Sequence, residues 1–208
     1  MLFLSKRLFS FVSNIRNMSR EKQYSEEEVI EKAMNLFWRD GVIPTSMNAL
    51  EKEMGINKFS IYASFGNKQG LFLESMKCYC KKITQELLDP LKEYDNGLTD
   101  IKTYFLNFIE FSKEKVRQKG CFMTNTVTEF GDKIDGLIRK EILRNAANVN
   151  EFLKQKLRQA SNNSPNEVEI NRKANYLMAT LQGLSAASQM MDSEQVLDFV
   201  DITFENIA

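Results

Sequence analysis

The sequence predicts an all-α protein of about nine helices, and three observations support this class. Apolar residues recur at helical spacing along most of the chain, capping residues precede these runs, and glycines follow many of them. No segment shows the alternating apolar and polar pattern of a half-buried strand. With 208 residues, of which 43% are hydrophobic, the chain is long enough to bury a core.

The composition excludes several classes of function. The 28 basic residues balance the 28 acidic ones, so the molecule lacks the broad positive field of a nonspecific nucleic-acid binder, and any DNA contact must be local. The absence of histidine argues against Ser-His-Asp and Cys-His catalysis. Cys78, Cys80 and Cys121 form no C-x-x-C pair, so neither a zinc site nor a disulfide framework is expected. We therefore expect no metal or cofactor, and a reducing, cytoplasmic location.

The first 20 residues, MLFLSKRLFSFVSNIRNMSR, form an apolar and basic segment without acidic residues. Lys6 and Arg7 interrupt the apolar run, so the segment matches neither a secretory signal nor a membrane span. An organelle presequence, an amphipathic surface helix, and upstream sequence before a true start at Met18 all remain open, and we favour the last. Residues 1–20 are predicted to lie outside the fold.

The first two helices have clear boundaries in the sequence. Ser25 is a predicted N-cap with Glu28 as its capping-box partner, and Gly41 ends this helix. A second, short helix opens at residues 44–46, Pro-Thr-Ser, and ends at Gly55.

The next two helices begin at asparagines. Asn57 caps a third helix that is shorter still. Asn67 caps a fourth helix, which is predicted to run towards Leu88 and to be closed by Pro90.

Five further helices are predicted after the turn at residues 95–97. Thr99 caps the fifth, whose apolar face is unusually aromatic, and Gly120 ends it. The segment CFMTNTVTEF forms a short sixth helix, and a long seventh spans residues 134–160.

The last two helices follow the loop SNNSPNE. Ser164 is the predicted cap, Pro165 the first helical residue and Glu167 the box partner. The eighth helix is expected over about 166–191 and the ninth from Ser193 to the end.

The two short helices around Gly55 have the geometry of a helix-turn-helix, although such a corner also occurs as plain packing. Polar and aromatic residues cluster on the first turns of the third helix, and a lysine and two hydroxyl residues start the neighbouring helices. The cluster comprises Thr45, Ser46, Lys58, Phe59, Ser60, Tyr62 and Lys68. Separate structural roles as caps, solvated charges and packing residues do not explain why they occur together.

Residues 36–76, LFWRDGVIPTSMNALEKEMGINKFSIYASFGNKQGLFLESM, resemble the N-terminal domain of the TetR/AcrR family of bacterial transcriptional regulators. The match includes the Thr-Ser helix start, the Gly-Ile corner, an Ile-Tyr pair, a Phe, and a Lys before a leucine. The segment GCFMTNTVTEF, residues 120–130, is also similar to a segment of that family.

The resemblance implies a dimeric regulator, usually a repressor, that binds double-stranded DNA at a palindromic operator and responds to a small-molecule effector. It implies a helix-turn-helix DNA-binding domain over residues 21–66 and an effector-binding and dimerisation domain over 67–208. The matching phosphate-contacting residues are Thr45, Ser46, Tyr62 and Lys68. The matching base-reading residues are Asn57, Lys58, Phe59 and Ser60. Glu51 and Met54 depart from the usual alanines, so Glu51 must turn outwards or the two helices must lie further apart.

The resemblance also implies an effector pocket in the C-terminal domain, with ordinary core packing as the alternative for each candidate. The candidates are Tyr104, Phe105, Phe108, Cys121, Met123, Asn125, Thr126, Phe130 and Tyr176. Cys121, at a predicted helix start, is either a thiol sensor of electrophiles or a quiet packed residue.

The last two helices are apolar over more than one stripe, which predicts a homodimer through a four-helix interface. The stripes contain Ala174, Leu177, Met178, Leu181, Leu184 and Ser185 on the eighth helix, and Val196, Phe199, Val200, Thr203, Phe204 and Ile207 on the ninth. Two other classes stay open. A helical enzyme lacks a convergent set of acids and bases, whereas a helical interaction protein that has lost DNA binding is compatible with the neutral charge and Glu51.

Overall fold

The computed structural model describes residues 24–113, 120–161 and 166–207, and within these ranges the protein is all-α, as predicted. The fourth helix has three consecutive segments, of which the middle one is a π-helical turn. In order, the helices are α1 Glu26–Asp40, α2 Met47–Met54, α3 Lys58–Phe65, α4 Lys68–Lys82 with Ile83–Leu88 and Asp89–Lys92, α5 Leu98–Lys113, α6 Phe122–Phe130, α7 Gly136–Ala160, α8 Glu167–Met190 and α9 Ser193–Glu205. None of these described helices is long and apolar enough to span a bilayer.

The helices α1 to α3 form the head of the molecule, and their predicted boundaries are confirmed. Ser25, Ser46 and Asn57 are the N-caps, each with a side-chain oxygen that accepts a backbone N–H of the first turn. Gly55 ends α2 with φ 70°, a left-handed conformation that a residue without a Cβ adopts at little cost. Asn67 likewise caps α4, which connects the head to the body formed by α5 to α9.

Pro90 does not close α4, so that prediction is wrong. The helix continues to Lys92, and Pro90 lies in the first turn of its last segment. The π-helical turn Ile83–Leu88 comes immediately before and widens the helix, so the proline ring is accommodated without a break.

Two predicted caps in the body also differ. The α5 helix begins at Leu98, before Thr99, and the carboxylate of Asp100 accepts from the backbone N–H of Asn96 across the turn. Asn166 is the N-cap of α8, with its Oδ1 3.0 Å from the N of Val168. Four predictions fall on stretches outside the described residues. They are the cap at Ser164, the helix start at Pro165, the end of α5 before Gly120, and the 1–20 segment.

A buried aromatic cluster joins the head to the body. Trp38 of α1 contacts Tyr79 of α4 edge-on, with ring centroids 5.0 Å apart, and lies beside Phe111 and Phe122. The indole Nε1 of Trp38 donates to the carbonyl of Gly120 at 3.0 Å. Head and body therefore share one continuous core.

The start of α6 lies very close to α8, and Gly120 permits this approach. Its φ is 66°, and a Cβ there would lie 2.7 Å from the carbonyl oxygen of Ser185. The N–H of Cys121 donates to Ser185 Oγ at 2.8 Å. The α6 helix is thus held between the head and α8.

A buried ion pair holds α5 against α7. The ammonium of Lys156 lies 2.8 Å from the carboxylate of Asp100, and both side chains are almost inaccessible. Lys156 also donates to the carbonyl of Tyr94, while Asp100 accepts from the backbone N–H and the side-chain amide of Asn96. Because each charge has several partners, the pair is compensated inside the core.

Candidate DNA-binding interface

The α3 helix presents an aromatic outer face while its inner face is fixed in the core. Phe59 is 82% exposed and Tyr62 is 47% exposed, and they lie one turn apart on the same side. Ile61, on the inner side, is completely buried. Lys58 and Ser60 are partly exposed beside this face. The first two turns of α3 therefore form an exposed surface to which α3 itself contributes no acidic side chain.

The start of α3 is held by two side chains of the corner. The Oδ1 of Asn57 accepts from the N–H of Ser60 at 2.8 Å. The carboxylate of Glu51, on α2, accepts from the N–H of Lys58 at 3.2 Å. Glu51 therefore points towards the first turn of α3 and not outwards. Its negative charge there interacts favourably with the positive end of the α3 helix dipole. Met54, the other departure, is buried.

The four predicted phosphate contacts differ in their accessibility. Ser46 is exposed at the start of α2, where its Oγ accepts from the N–H of Ala49. Tyr62 is exposed, whereas Thr45 is only 4% exposed and its hydroxyl donates to the carbonyl of Gly41. The side chain of Thr45 thus closes the turn before α2, and its contact with phosphate stays a prediction.

Lys68 lies at the start of α4, half-buried beside the turn that precedes α2. Its ammonium donates to the carbonyl of Ile43 at 3.3 Å. Burial lowers the pKa of Lys68, and the nearby carboxylate of Glu129 opposes this shift. An anion beside Lys68 would therefore offset part of the free-energy cost of removing the ammonium from water.

The end of α6 also contacts the head, a contact that the sequence analysis missed. The two carboxylate oxygens of Glu129 accept from the N–H of Val42, at 3.0 Å, and from the N–H of Ile43, at 2.6 Å. The α6 helix is thus bonded to the head at both ends, since Gly120 accepts from Trp38 at its beginning. The only available signal was the family-like segment 120–130, which contains Glu129 near its end.

The structure does not bring the nine effector-pocket candidates together in one cavity, and their role in effector binding stays a prediction. The residue types of these candidates predict that they are buried, but not which residues they contact. Tyr104, Phe105 and Phe108 are buried in the core, Tyr176 is 46% exposed, and Met123 contacts the amide of Asn145. The remaining candidates divide between two cavities and the start of α6: Asn125 and Thr126 line a cavity of about 520 Å³, Phe130 lines another of about 400 Å³, and Cys121 precedes α6.

Cys121 is buried in the core and not exposed at the surface. It is only 6% exposed, and the hydroxyl of Tyr79 donates to its sulfur at 3.4 Å. Cys80 is also buried, and burial raises its pKa to about 12. Of the two alternatives for Cys121, this surrounding favours the packed residue.

A stripe of small and apolar residues lies exposed along α8. The residues predicted for the dimer stripe, such as Leu177 and Leu184, pack into their own subunit instead. The exposed stripe occupies the other side of the helix at spacings of three and four. It comprises Tyr176, Ala179, Gly183, Ala186 and Met190. On α9, Leu197 and Ile202 are also exposed, at 48% and 57%. Both helices therefore have a second apolar face, as the prediction of two stripes requires.

Two family models match the chain. The model of bacterial regulatory proteins of the tetR family matches residues 29–75, and that of the tetracyclin repressor-like C-terminal domain matches residues 97–203, more than half of the chain. The chain is 28% identical over 182 residues to the HTH-type transcriptional repressor ComR of Escherichia coli, covering 84% of each protein. It is 23% identical over 114 residues to IcaR of Staphylococcus aureus, a negative regulator of the biofilm operon icaADBC, covering 55% of this chain and 61% of IcaR.

Solved structures share the fold. A cysteine mutant of the regulator CifR, bound to 26 base pairs of operator DNA, superposes with a TM-score of 0.76 at 19% identity, covering 89% of this chain and 98% of CifR. A regulator from Legionella pneumophila gives 0.75 at 17% identity, with the same coverage.

A helix-turn-helix head joined to a larger helical body, together with the match to the tetR-family model, places this chain among the DNA-binding transcriptional regulators. The matched models identify the kind of regulator. The chain belongs to the TetR family.

Proposed function

We propose that this protein is a cytoplasmic, ligand-responsive repressor that binds a palindromic operator as a homodimer and is released when a small molecule binds its C-terminal domain. The observation that carries the proposal is the outer face of α3, where Phe59 and Tyr62 are exposed around a buried Ile61. Two exposed aromatic rings one turn apart favour an interaction surface, the other side chains of α3 beside them are basic or neutral, and the nearby Glu51 carboxylate is engaged by the N–H of Lys58. This composition suits the major groove of DNA.

The proposed contacts divide by the position of each residue on the head. Lys58, Phe59 and Ser60, with Asn57 before them, lie in the first turn of α3 and would approach base edges. The Lys58 ammonium suits guanine acceptors, and the Phe59 ring suits a thymine methyl. The hydroxyls and ammonium that would hold phosphates are those of Ser46, Tyr62 and Lys68.

The exposed faces of α8 and α9 supply the proposed dimer interface. Two copies that meet along the stripe with Ala179 and Gly183 would pack closely, because these side chains are small. A two-fold axis there would place two α3 helices on one duplex, double the phosphate contacts and set the spacing of the half-sites.

The cavity that contains Asn125 and Thr126 is the proposed effector site. It lies between α1, α6 and α8, and Trp38 and Gln189 also line it. An effector there would contact the head and the proposed dimer helix at once. Because α6 is bonded to the head at both ends, a shift of α6 would be transmitted to α3.

The decisive experiment is selection of bound sites from random duplex DNA with the purified protein. We expect a palindromic product, bound with an affinity that falls steeply as the salt concentration rises, because several phosphates are contacted. Failure to enrich any sequence would contradict the proposal and favour the alternative, a helical interaction protein that has lost DNA binding. In that case, substitution of the residues proposed to read bases would not change DNA binding.

A further inference from the structure

A second cavity, of about 400 Å³, lies where the head meets the body. Its lining residues are all different from those of the cavity with Asn125 and Thr126. Val42 and Ile43 of the head, Phe72 of α4, and Phe130, Ile134 and Ile138 of the body form its apolar walls. The volume falls in the range of small-molecule sites, about 300 to 1,000 Å³. A ligand here would contact both parts of the protein.

Two ammonium groups belong to the same cavity. Lys68 is half-buried, and its one hydrogen bond to the described residues is the 3.3 Å contact with the carbonyl of Ile43. An ammonium has three donors, so Lys68 retains donors for a further acceptor. Lys133, on the short turn after α6, also lines the cavity and is exposed.

The one acidic residue of the lining is already engaged. The carboxylate of Asp135 is the N-cap of α7 and accepts from the N–H of Leu137 at 2.8 Å and from that of Ile138 at 3.4 Å. Apolar walls with two cations and one satisfied carboxylate are complementary to an anion with an apolar body. The carboxylate of Glu129 also lies near Lys68, but its two oxygens are engaged by the N–H groups of Val42 and Ile43. A bound anion would add to its effect on the partly desolvated Lys68, whereas a neutral hydrocarbon or a cation would not.

The geometry points to a second ligand site: the cavity between Lys68 and Lys133 binds an amphipathic monocarboxylate. Its carboxylate lies against the two ammonium groups, and its apolar chain or ring packs among Phe72, Phe130 and Ile138. Binding requires no change in the core, since these residues already line the space.

The proposed function gives this site a consequence, and only this step rests on it. Lys68 is also a proposed phosphate contact, so a bound carboxylate and an operator phosphate compete for one ammonium. The ligand also bridges Ile43 of the head and Ile134 of the body. Carboxylate binding is therefore expected to lower the affinity for the operator.

The test uses three probes with one chain length and different charges: octanoate, octanol and octylammonium. Titration calorimetry on the full-length protein without DNA should show one octanoate bound per chain. Octanol should bind about tenfold more weakly, because it lacks the charge-assisted hydrogen bonds. Equal affinities for the three probes, or no binding of octanoate, would overturn the proposal.

Variants locate the site. Ile134→Trp fills the cavity from a half-buried position and should abolish octanoate binding. Lys133→Gln, at an exposed position, should weaken it by about two- to fivefold. Lys140→Gln, an exposed lysine on α7 outside the lining, is the matched control and should leave it unchanged.

Two results would place the site elsewhere or remove it. If a folded Ile134→Trp protein, or Lys133→Gln if the former does not fold, bound octanoate with unchanged affinity, the cavity would not be the site. Operator binding measured on the same preparations separates the two proposals. Intact operator binding without octanoate binding overturns the ligand site alone.

Discussion

Glu129 accepts a hydrogen bond of 2.6 Å from the backbone N–H of Ile43, and its second oxygen accepts from the neighbouring N–H of Val42. One carboxylate at the end of α6 thus satisfies two donors in the loop between α1 and α2. Both donors precede the helix that supports α3, so the body fixes this loop through a charged acceptor. The contact between head and body at this point is therefore a pair of hydrogen bonds to one carboxylate. Its contribution can be tested by a single substitution.

Glu129→Gln should weaken this connection, because an amide offers one acceptor oxygen where the carboxylate offers two. Hydrogen bonds to charged groups contribute about 1.5–3 kcal/mol each. We expect the amides of Val42 and Ile43 to exchange with deuterium roughly tenfold faster or more, measured by NMR or mass spectrometry. Glu110→Gln, an exposed glutamate on α5, should leave both exchange rates unchanged. Unchanged protection in Glu129→Gln would show that the loop is held by other contacts.

The local boundaries of the head could be predicted from the sequence, because they depend on neighbouring residues. Ser46 and Asn57 cap helices within their own first turns, and Gly55 adopts its conformation without help from the body. Pro90 was misinterpreted because the π-helical turn before it is not encoded by a recognised local signal. The all-helical class followed from such local signals.

The effector candidates could not be assigned from sequence, because helical spacing predicts burial but not the neighbour. Phe105 packs against Phe204 in the core, with ring centroids 5.4 Å apart, whereas Phe130 stacks on Phe72 beside a cavity. Tyr176 has the same residue type as Tyr104 yet lies on the surface. Contacts over long sequence separations decide between these positions.

Lys58 and Tyr62 should have separable effects on DNA. Lys58→Ala should alter the preferred operator sequence, with a loss of about 1–3 kcal/mol of discrimination at one base pair. Tyr62→Phe removes only the hydroxyl and should weaken binding to all duplexes alike. Fluorescence anisotropy with the selected operator and its single-base variants measures both effects. Lys140→Ala, on the exposed surface of α7, is the control. The assignment of α3 would be wrong if Lys58→Ala left both affinity and preference untouched.

Ala179→Arg should break the proposed dimer. Ala179 lies in the exposed stripe of α8, and a buried guanidinium without a partner in a close helix contact is costly. Sedimentation should show a monomer at concentrations at which the unmodified protein is dimeric, and operator affinity should fall because half of the contacts are lost. Ala147→Arg, the same change at an exposed position of α7, should alter neither property. A dimeric Ala179→Arg protein would place the interface on another surface.

Asp100 and Lys156 should make stability depend on pH. Burial of Asp100 opposes ionisation, but hydrogen bonds from Lys156 and Asn96 outweigh it and lower the pKa of the carboxyl. This stabilisation is fully present above the pKa of an unfolded aspartate, about 3.9, and is lost as the pH falls through the lower folded pKa. The free energy of unfolding in urea, measured from pH 7 downwards, should show this decrease.

Substitution of the pair separates its charge from its packing. Asp100→Asn leaves the buried ammonium of Lys156 without its counter-ion and should cost about 3–5 kcal/mol of the free energy of unfolding at pH 7. The double variant Asp100→Leu with Lys156→Met removes both charges and should recover most of that loss. Asp89→Asn, which breaks the exposed pair with Lys92, should cost no more than about 1 kcal/mol. If Asp100→Asn were as mild as Asp89→Asn, water would reach Lys156 and the pair would not be buried in solution.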